Sequence, residues 1–305
     1  MRARVEPRSL SCTAPAKLNL MLHVVGRRSD GYHLLQTVFR FLDFGDTLCF
    51  RLRRDRMLRR EGDVLGVRAE EDLTLRAARL LQHEAGSALG ADISLDKRLP
   101  IGGGLGGGSS DAATTLIALN RLWGLRWPRA RLQELALLLG ADVPVFVFGR
   151  NAFAEGVGEQ LQAVDLPPAW YVVLAPPVAV STAAVFADPE LTRNSDPIKI
   201  RGFSAGAEHS AARPGGFAAG AVSSSVIPGG NDLEPVVRRR HPEVARHLDW
   251  LRQFGPAAMT GSGACVYAAF DSEALAQQVF GRRPAGMQGF VARGLDRHPL
   301  WDWLE

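Results

Sequence analysis

Lysine is scarce in this chain. Of its 36 basic side chains only Lys17, Lys97 and Lys199 are lysines, and the rest are arginine. The arginines are spread out, with dense runs only at Arg51 to Arg60 and Arg238 to Arg240. A formal net charge of +4 on 305 residues therefore reads mainly as solvated surface, while remaining compatible with a phosphate-rich ligand or nucleic acid. Cysteine is as rare: Cys12, Cys49 and Cys265 are odd in number and widely spaced, which excludes a disulfide framework and a zinc pattern. Such cysteines suit a reducing cytoplasm. No apolar run approaches the roughly 20 residues of a membrane span. The N-terminus carries arginines but no apolar signal core, because Asn19 and His23 interrupt Leu18 to Val25. The chain also lacks an internal repeat. What it does have is 46% hydrophobic and 22% charged residues, a composition that builds cores rather than disorder.

Patterning predicts strands at Leu18 to Val25, Gln36 to Phe44 and Thr47 to Leu52, with a turn at Ser29-Asp30-Gly31. Asp72 is placed to cap a helix through Leu73, Ala77, Leu80 and Leu81, with Gly86 beyond its end. A short strand follows at Asp92 to Leu95. Helices are expected after Ser110, stopping at Gly124, and from Pro128 to Gly140. Beyond Asp165-Leu-Pro-Pro168 the chain restarts with the apolar strand Trp170 to Ala175. Val178 to Asp188 reads as helical in its second half. Further helices are expected at Leu233 to Arg240, Pro242 to Phe254 and Ser272 to Phe280, and strands at Ala264 to Phe270 and Gly289 to Ala292. The order implies an α+β protein of two halves, 1–165 and 166–305. Residues 199–230, rich in Gly, Ala and Ser, read as a long flexible loop.

The densest signal is Pro100-Ile-Gly-Gly-Gly-Leu-Gly-Gly-Gly-Ser-Ser-Asp111. Glycine inside an element costs about 0.5–1 kcal/mol relative to alanine. A cluster this dense therefore implies a backbone that must come close to something. Placed before an amphipathic helix, it forms an anion cradle from free N–H groups and the positive end of the helix dipole. Gly108 is followed by Ser109 rather than lysine, which excludes a P-loop. Gly102, Gly104 and Gly107 match Rossmann spacing, but Lys97, Arg98 and Pro100 separate them from any strand. Asp43-Phe44-Gly45 imitates a protein-kinase signature without a catalytic loop to accompany it.

The span Pro100, Ile101, Gly102, Gly103, Gly104, Leu105, Gly106, Gly107, Gly108, Ser109, Ser110 resembles the phosphate loop of the GHMP kinase superfamily. Ala14-Pro-Ala-Lys-Leu-Asn-Leu20, Arg28-Ser-Asp-Gly-Tyr-His33, Asp96-Lys-Arg-Leu-Pro100, Gly140-Ala-Asp-Val-Pro144, Ala154-Glu-Gly-Val-Gly158 and Gly261-Ser-Gly-Ala-Cys265 resemble, in order, its diphosphocytidyl-methylerythritol branch. The resemblance lapses only across roughly Lys199 to Gly230, and at Asp72, where relatives commonly carry asparagine. It implies a ribosomal-protein-like α+β N-terminal half packed on a ferredoxin-like C-terminal half, with the site in the cleft. The implied reaction moves the ATP γ-phosphate to a sugar-alcohol hydroxyl in the non-mevalonate route to isoprenoids.

By the same resemblance Lys17 and Asp142 are catalytic and Pro100 to Ser110 bind ATP. Asn19, Tyr32, His33, Val157, Thr182 and Phe186 contact substrate, with Tyr32 and Phe186 stacking on a cytosine and His33 reading its edge. Mg²⁺ is expected with ATP, on Ser109 or Ser110. Read without the resemblance, Lys17 is equally a strand-end lysine, Asp142 a cap and the 261–263 glycines a tight turn. The expected partner is a small cytidine-diphosphate substrate, not nucleic acid or membrane, and the expected state a cytoplasmic monomer or weak homodimer. Two alternatives stay open: a superfamily kinase for mevalonate, homoserine or a sugar, and a non-catalytic RNA-binding protein.

Overall fold

The computed structural model describes residues 8–62, 71–198 and 230–304. Except for Gly230, the expected 199–230 loop lies outside the described residues.

The frame of the N-terminal half is a long antiparallel ribbon, β1 (Ser9–Arg27) with β2 (His33–Arg53). Leu18, Met21, Leu22 and Val24 bury one strand against the other elements, while the Arg28-to-Tyr32 turn closes the ribbon with Gly31 at φ +93°. Irregular register between Pro15 and Lys17, and again between Asn19 and Met21, re-aims the side chains around Lys17. β4 (Gly90–Asp96) pairs with the C-terminal part of β2, and β3 (Leu58–Glu61) runs parallel to β4. The hairpin β5 (Ala152–Glu155) and β6 (Gln160–Ala163) joins β2 at Thr37 to Phe39. Helices α1 (Leu73–Glu84), α2 (Gly107–Leu122), α3 (Arg129–Leu139) and α4 (Val143–Phe148) bury Ala77, Leu81, Leu116, Leu119, Leu135 and Phe146 in one cluster with Phe39, Phe41 and Ile93 of the strands.

The C-terminal half carries β7 (Trp170–Ala175), α5 (Thr182–Phe186), α6 (Glu234–Arg240), α7 (Pro242–Leu251), β8 (Ala257–Met259), β9 (Val266–Phe270), α8 (Glu273–Gly281) and β10 (Gln288–Leu295). β9 lies between β8 and β7, β10 pairs with β7 on its other edge, and all neighbours are antiparallel. β10 also meets β2 at Gly294↔Leu42 and Leu295↔Phe41, so one sheet path runs through both halves. A separate apolar cluster sits at this junction. It gathers Ala16 and Leu18 of β1, Leu99 just before the glycine loop, Leu105 within it, and Tyr171, Cys265, Tyr267 and Phe290 of the C-terminal half. This is the two-part α+β architecture the resemblance implies. No helix among the described residues is long and apolar enough to cross a membrane.

The structure differs from the sequence reading in two ways. The two strands expected at Gln36 to Phe44 and Thr47 to Leu52 are one continuous β2. Gly45 and Asp46 separate the two expected strands, but Asp46 is fully buried as the anchor of Lys97, and Gly45 sits where a Cβ would lie 2.1 Å from the Ala14 carbonyl oxygen. The short elements β3, α4, β5, β6 and β8 carry too little periodicity to announce themselves in the sequence.

Candidate active site

The glycine loop reads directly into α2. Gly102, Gly104 and Gly106 have φ of +70°, +76° and +71°, conformations that favour glycine, and Gly106 is the N-cap. Crowding adds a second reason. A Cβ on Gly104 would lie 2.2 Å from the Thr260 carbonyl oxygen, and one on Gly103 would lie 2.7 Å from Cys265 Sγ. The loop is thus held by backbone from both halves, with Cys265 N–H donating to Gly103 O at 3.0 Å.

A cavity of about 360 Å³ opens over it, lined by Pro100 through Ser109 together with Arg60, Asp72, Leu73, Lys97 and Asp111. Of the predicted ATP-contact span only Ser110 is missing from the lining; it is fully buried in the first turn of α2 and its Oγ has no partner among the described residues. Asp72 caps α1 through Thr74 N at 2.8 Å and takes Arg60 Nη1 at 2.5 Å, so both carboxylate oxygens are engaged. Arg60 accounts for an acid at this position: a buried guanidinium needs a charged partner.

Lys97 sits under the start of α2. Its Nζ bonds Asp46 Oδ2 at 2.5 Å and Asp111 Oδ2 at 2.9 Å. Burial works against the lysine's charge, but the two carboxylates outweigh it and hold its pKa above the ordinary value. Burial pushes the Asp111 carboxyl up to about 7; Lys97 opposes this and Asp46 adds to it. Asp46 also accepts from Arg98 N and Leu99 N at 2.6 and 2.8 Å, which fixes the entry to the glycine loop.

A second cavity, about 330 Å³, is lined by Lys17, Asn19, Thr37, Phe39, Asp142, Val157, Thr182, Phe186, Gly261 and Ser262 among others. The two cavities share Gly104 and Ser109, so they meet at the phosphate end of the loop. Lys17 is almost fully buried there. Its Nζ lies 3.2 Å from Asp142 Oδ2, 2.5 Å from Asn19 Oδ1 and 5.4 Å from the centre of the Phe39 ring. An ammonium has three donors, and the two oxygen partners leave one for a ligand. Asp142, between α3 and α4, is 40% exposed and makes no capping bond, which leaves carboxylate capacity free.

Four of the six predicted substrate contacts, Asn19, Val157, Thr182 and Phe186, line this second cavity. Asn19 Nδ2 donates to Thr37 Oγ1 at 2.8 Å, so Asn19 also orients Lys17. Val157 N–H is held by Glu159 at 2.6 Å, and Thr182 Oγ1 pairs with Ser262 Oγ at 2.6 Å. His33 stacks on Phe186 with ring centroids 4.8 Å apart. Tyr32 is 67% exposed and stands outside that stack. Sequence reasoning missed Thr260, which is fully buried. Its Oγ1 accepts from Asn19 N at 2.9 Å and lies 3.3 Å from Gly104 O, tying β1, the glycine loop and the C-terminal half together. It also missed Asn231, whose Nδ2 donates to Met259 O and Gly261 O. Thr260 precedes the 261–263 glycines and Asn231 holds the Gly261 carbonyl, a segment that reads without the resemblance only as a tight turn.

Comparison with known proteins agrees with this geometry. Residues 72–150 match the GHMP kinases N terminal domain and residues 213–287 the GHMP kinases C terminal family. The chain is 62% identical over 291 residues to a 4-diphosphocytidyl-2-C-methyl-D-erythritol kinase of Thiobacillus denitrificans, covering 95% of this chain and 97% of that one. It is 60% identical over 299 residues to the kinase of that name from Nitrosospira multiformis, covering 97% and 95%. A crystal structure of 4-(cytidine 5'-diphospho)-2C-methyl-D-erythritol kinase superposes with a TM-score of 0.77 at 32% identity, covering 93% of this chain and 99% of that one. The mevalonate kinase of Methanococcus jannaschii, at 15% identity and a TM-score of 0.63, shares the fold alone. The chain therefore belongs to the GHMP kinases and, within them, to the 4-diphosphocytidyl-2-C-methyl-D-erythritol kinase family.

Proposed function

We propose that this chain transfers the γ-phosphate of ATP to the 2-hydroxyl of 4-diphosphocytidyl-2-C-methyl-D-erythritol, giving the 2-phosphate and ADP, in the non-mevalonate route to isoprenoid precursors. One observation carries the reading: the anion cradle and the cavity holding Lys17 and Asp142 meet at Gly104 and Ser109. A donor phosphate seated on the cradle then faces an acceptor beside the lysine.

In this account ATP lies in the cleft over Pro100 to Ser109, its phosphates on the free N–H groups at the start of α2. The Lys17 ammonium, held by Asn19 and Asp142, stabilises charge growing on the transferred phosphoryl group. Asp142 orients the acceptor hydroxyl first and takes its proton late, because a loose phosphoryl-transfer transition state asks little of a base early on. Val157, Thr182 and Phe186 wall the acceptor side, and His33 with Tyr32 forms the cytosine end.

Kinases of this superfamily use ATP with Mg²⁺ as a rule. Among the described residues no group of three or more His, Cys, Asp or Glu could hold a metal. Ser109, whose residue borders both cavities, is the better placed of the two serines, since Ser110 is buried. Mg²⁺ bound there supplies charge neutralisation on the phosphates.

The test is the Asp142→Ala enzyme, assayed with Mg-ATP and the cytidylyl acceptor by coupled ADP release. The account predicts loss of turnover with ATP binding retained. Near-full turnover would remove Asp142 from the chemistry.

A further inference from the structure

Arg193 lies beyond α5, in a segment with no motif, yet every side of its guanidinium is used. Nη1 donates to Leu191 O at 3.1 Å, and Nη2 to Phe186 O at 2.9 Å and Asp188 O at 2.7 Å. These are carbonyls at and beyond the C-terminal end of α5, where a cation and extra donors are favoured. The third nitrogen, Nε, directs its N–H at Nε2 of His33, 3.3 Å away. His33 is itself stacked on Phe186, the residue whose carbonyl Arg193 holds.

An arginine is always a donor and never an acceptor. A ring nitrogen facing it must therefore offer its lone pair, and the proton of the neutral imidazole goes to Nδ1. Nδ1 has no partner among the described residues, which leaves it for a ligand. Burial, Arg193 and Arg27 in that order lower the pKa of His33, in keeping with a neutral ring.

We propose that Arg193 is a positioning residue for base recognition, locking His33 as the Nδ1–H tautomer so that it presents a hydrogen-bond donor to the pyrimidine. The proposal rests on the reading of the acceptor cavity as a cytidylyl site, and it sets that site's specificity. Cytosine offers a lone pair at N3, whereas uracil carries a hydrogen there. A fixed N–H donor rewards the first and leaves two hydrogens opposed in the second. Phe186 supplies the stacking surface, and Arg193 couples that surface to the ring that reads the edge.

Two measurements test this. The first is the long-range ¹⁵N–¹H spectrum of the free protein, assigned with His33→Phe. Wild type should show a protonated Nδ1 and a bare Nε2 at His33, and Arg193→Met should move the proton toward Nε2. The second is acceptor kinetics. In Arg193→Met, KM for the cytidylyl acceptor should rise by about 10-fold, more than kcat falls, the size expected for one lost hydrogen bond. Preference over the uridylyl analogue should fall by a similar factor, while KM for ATP stays put. Placed on a His33→Phe background, Arg193→Met should add little. An unchanged tautomer in Arg193→Met, or an equal loss in the His33→Phe background, would overturn the proposal and make Arg193 a loop brace only. A wild type inactive on the cytidylyl acceptor would instead sink the functional reading, and the spectrum of the free protein would still decide the role of Arg193.

Discussion

Lys17 and Asp142 illustrate how little of a site is visible in a residue's type alone. A lysine near an apolar strand is ordinarily a surface residue. Here β1 is bulged on either side of Asn19 and covered by both halves, so Lys17 is 2% exposed and held by two oxygens. Lys17→Met should lower kcat by about 10²–10³-fold with smaller effects on either KM, as for loss of one preorganised donor to a transition-state oxygen. The measurement is steady-state kinetics with each substrate varied. A mutant that loses only substrate affinity would show that Lys17 binds but does not catalyse. The motifs around Lys17, Asp142 and the glycine loop were legible because they are dense and ordered. The partners that orient them, Thr37, Thr260, Glu159 and Arg193, were not. They are ordinary polar residues whose roles depend on contacts made across as many as 241 positions of sequence.

At the scale of elements, the glycine loop and α2 set the donor side. Gly106 and Gly102 share nearly the same φ but not the same surroundings. A Cβ on Gly106 would lie 3.0 Å from Phe146 and 3.1 Å from Lys17 Cε and Cγ, whereas one on Gly102 meets nothing within 4 Å. Gly102→Ala should therefore cost about 1 kcal/mol of backbone strain and leave kcat nearly intact. Gly106→Ala should also depress kcat by displacing Lys17. Equal kcat values for the two would contradict this geometry. The start of α2 also carries a pH signature through Asp111, raised to about 7 in the folded chain against 3.8 as its ordinary value. Between those values the folded state holds a proton that the unfolded chain has released. Stability from this group is thus full below about pH 4 and is lost as pH climbs through 7. Thermal melts across that range should show the decline, and Asp111→Asn, with no proton to lose, should flatten it. The helices α1 to α3 were readable from their caps and stops, such as Asp72, Pro128 and Gly140. β2 reads as two strands in the sequence because Gly45 and Asp46 interrupt the apolar pattern, and only the half-buried Lys97 shows why an acid belongs at Asp46.

Across the whole molecule, the active site depends on the two halves being held in register. β10 joins β2 over only two residue pairs, so the apolar cluster of Leu99, Leu105, Tyr171, Cys265 and Tyr267 carries much of the junction. Thr260 is its polar pin, bonding Asn19 N and lying against Gly104 O. Thr260→Val keeps the shape but leaves a buried N–H without its acceptor, a loss of about 1–3 kcal/mol. It should lower both the melting temperature and kcat, whereas Thr260→Ser should restore most of each.

The most direct test of the account compares acceptors. ADP release with Mg-ATP is followed for 4-diphosphocytidyl-2-C-methyl-D-erythritol, mevalonate, homoserine and galactose. The geometry of the joined cavities and the family to which the chain belongs predict release with the cytidylyl acceptor alone. Turnover on mevalonate, homoserine or galactose in its place would keep the phosphate cradle and contradict the cytosine site at His33 and Phe186.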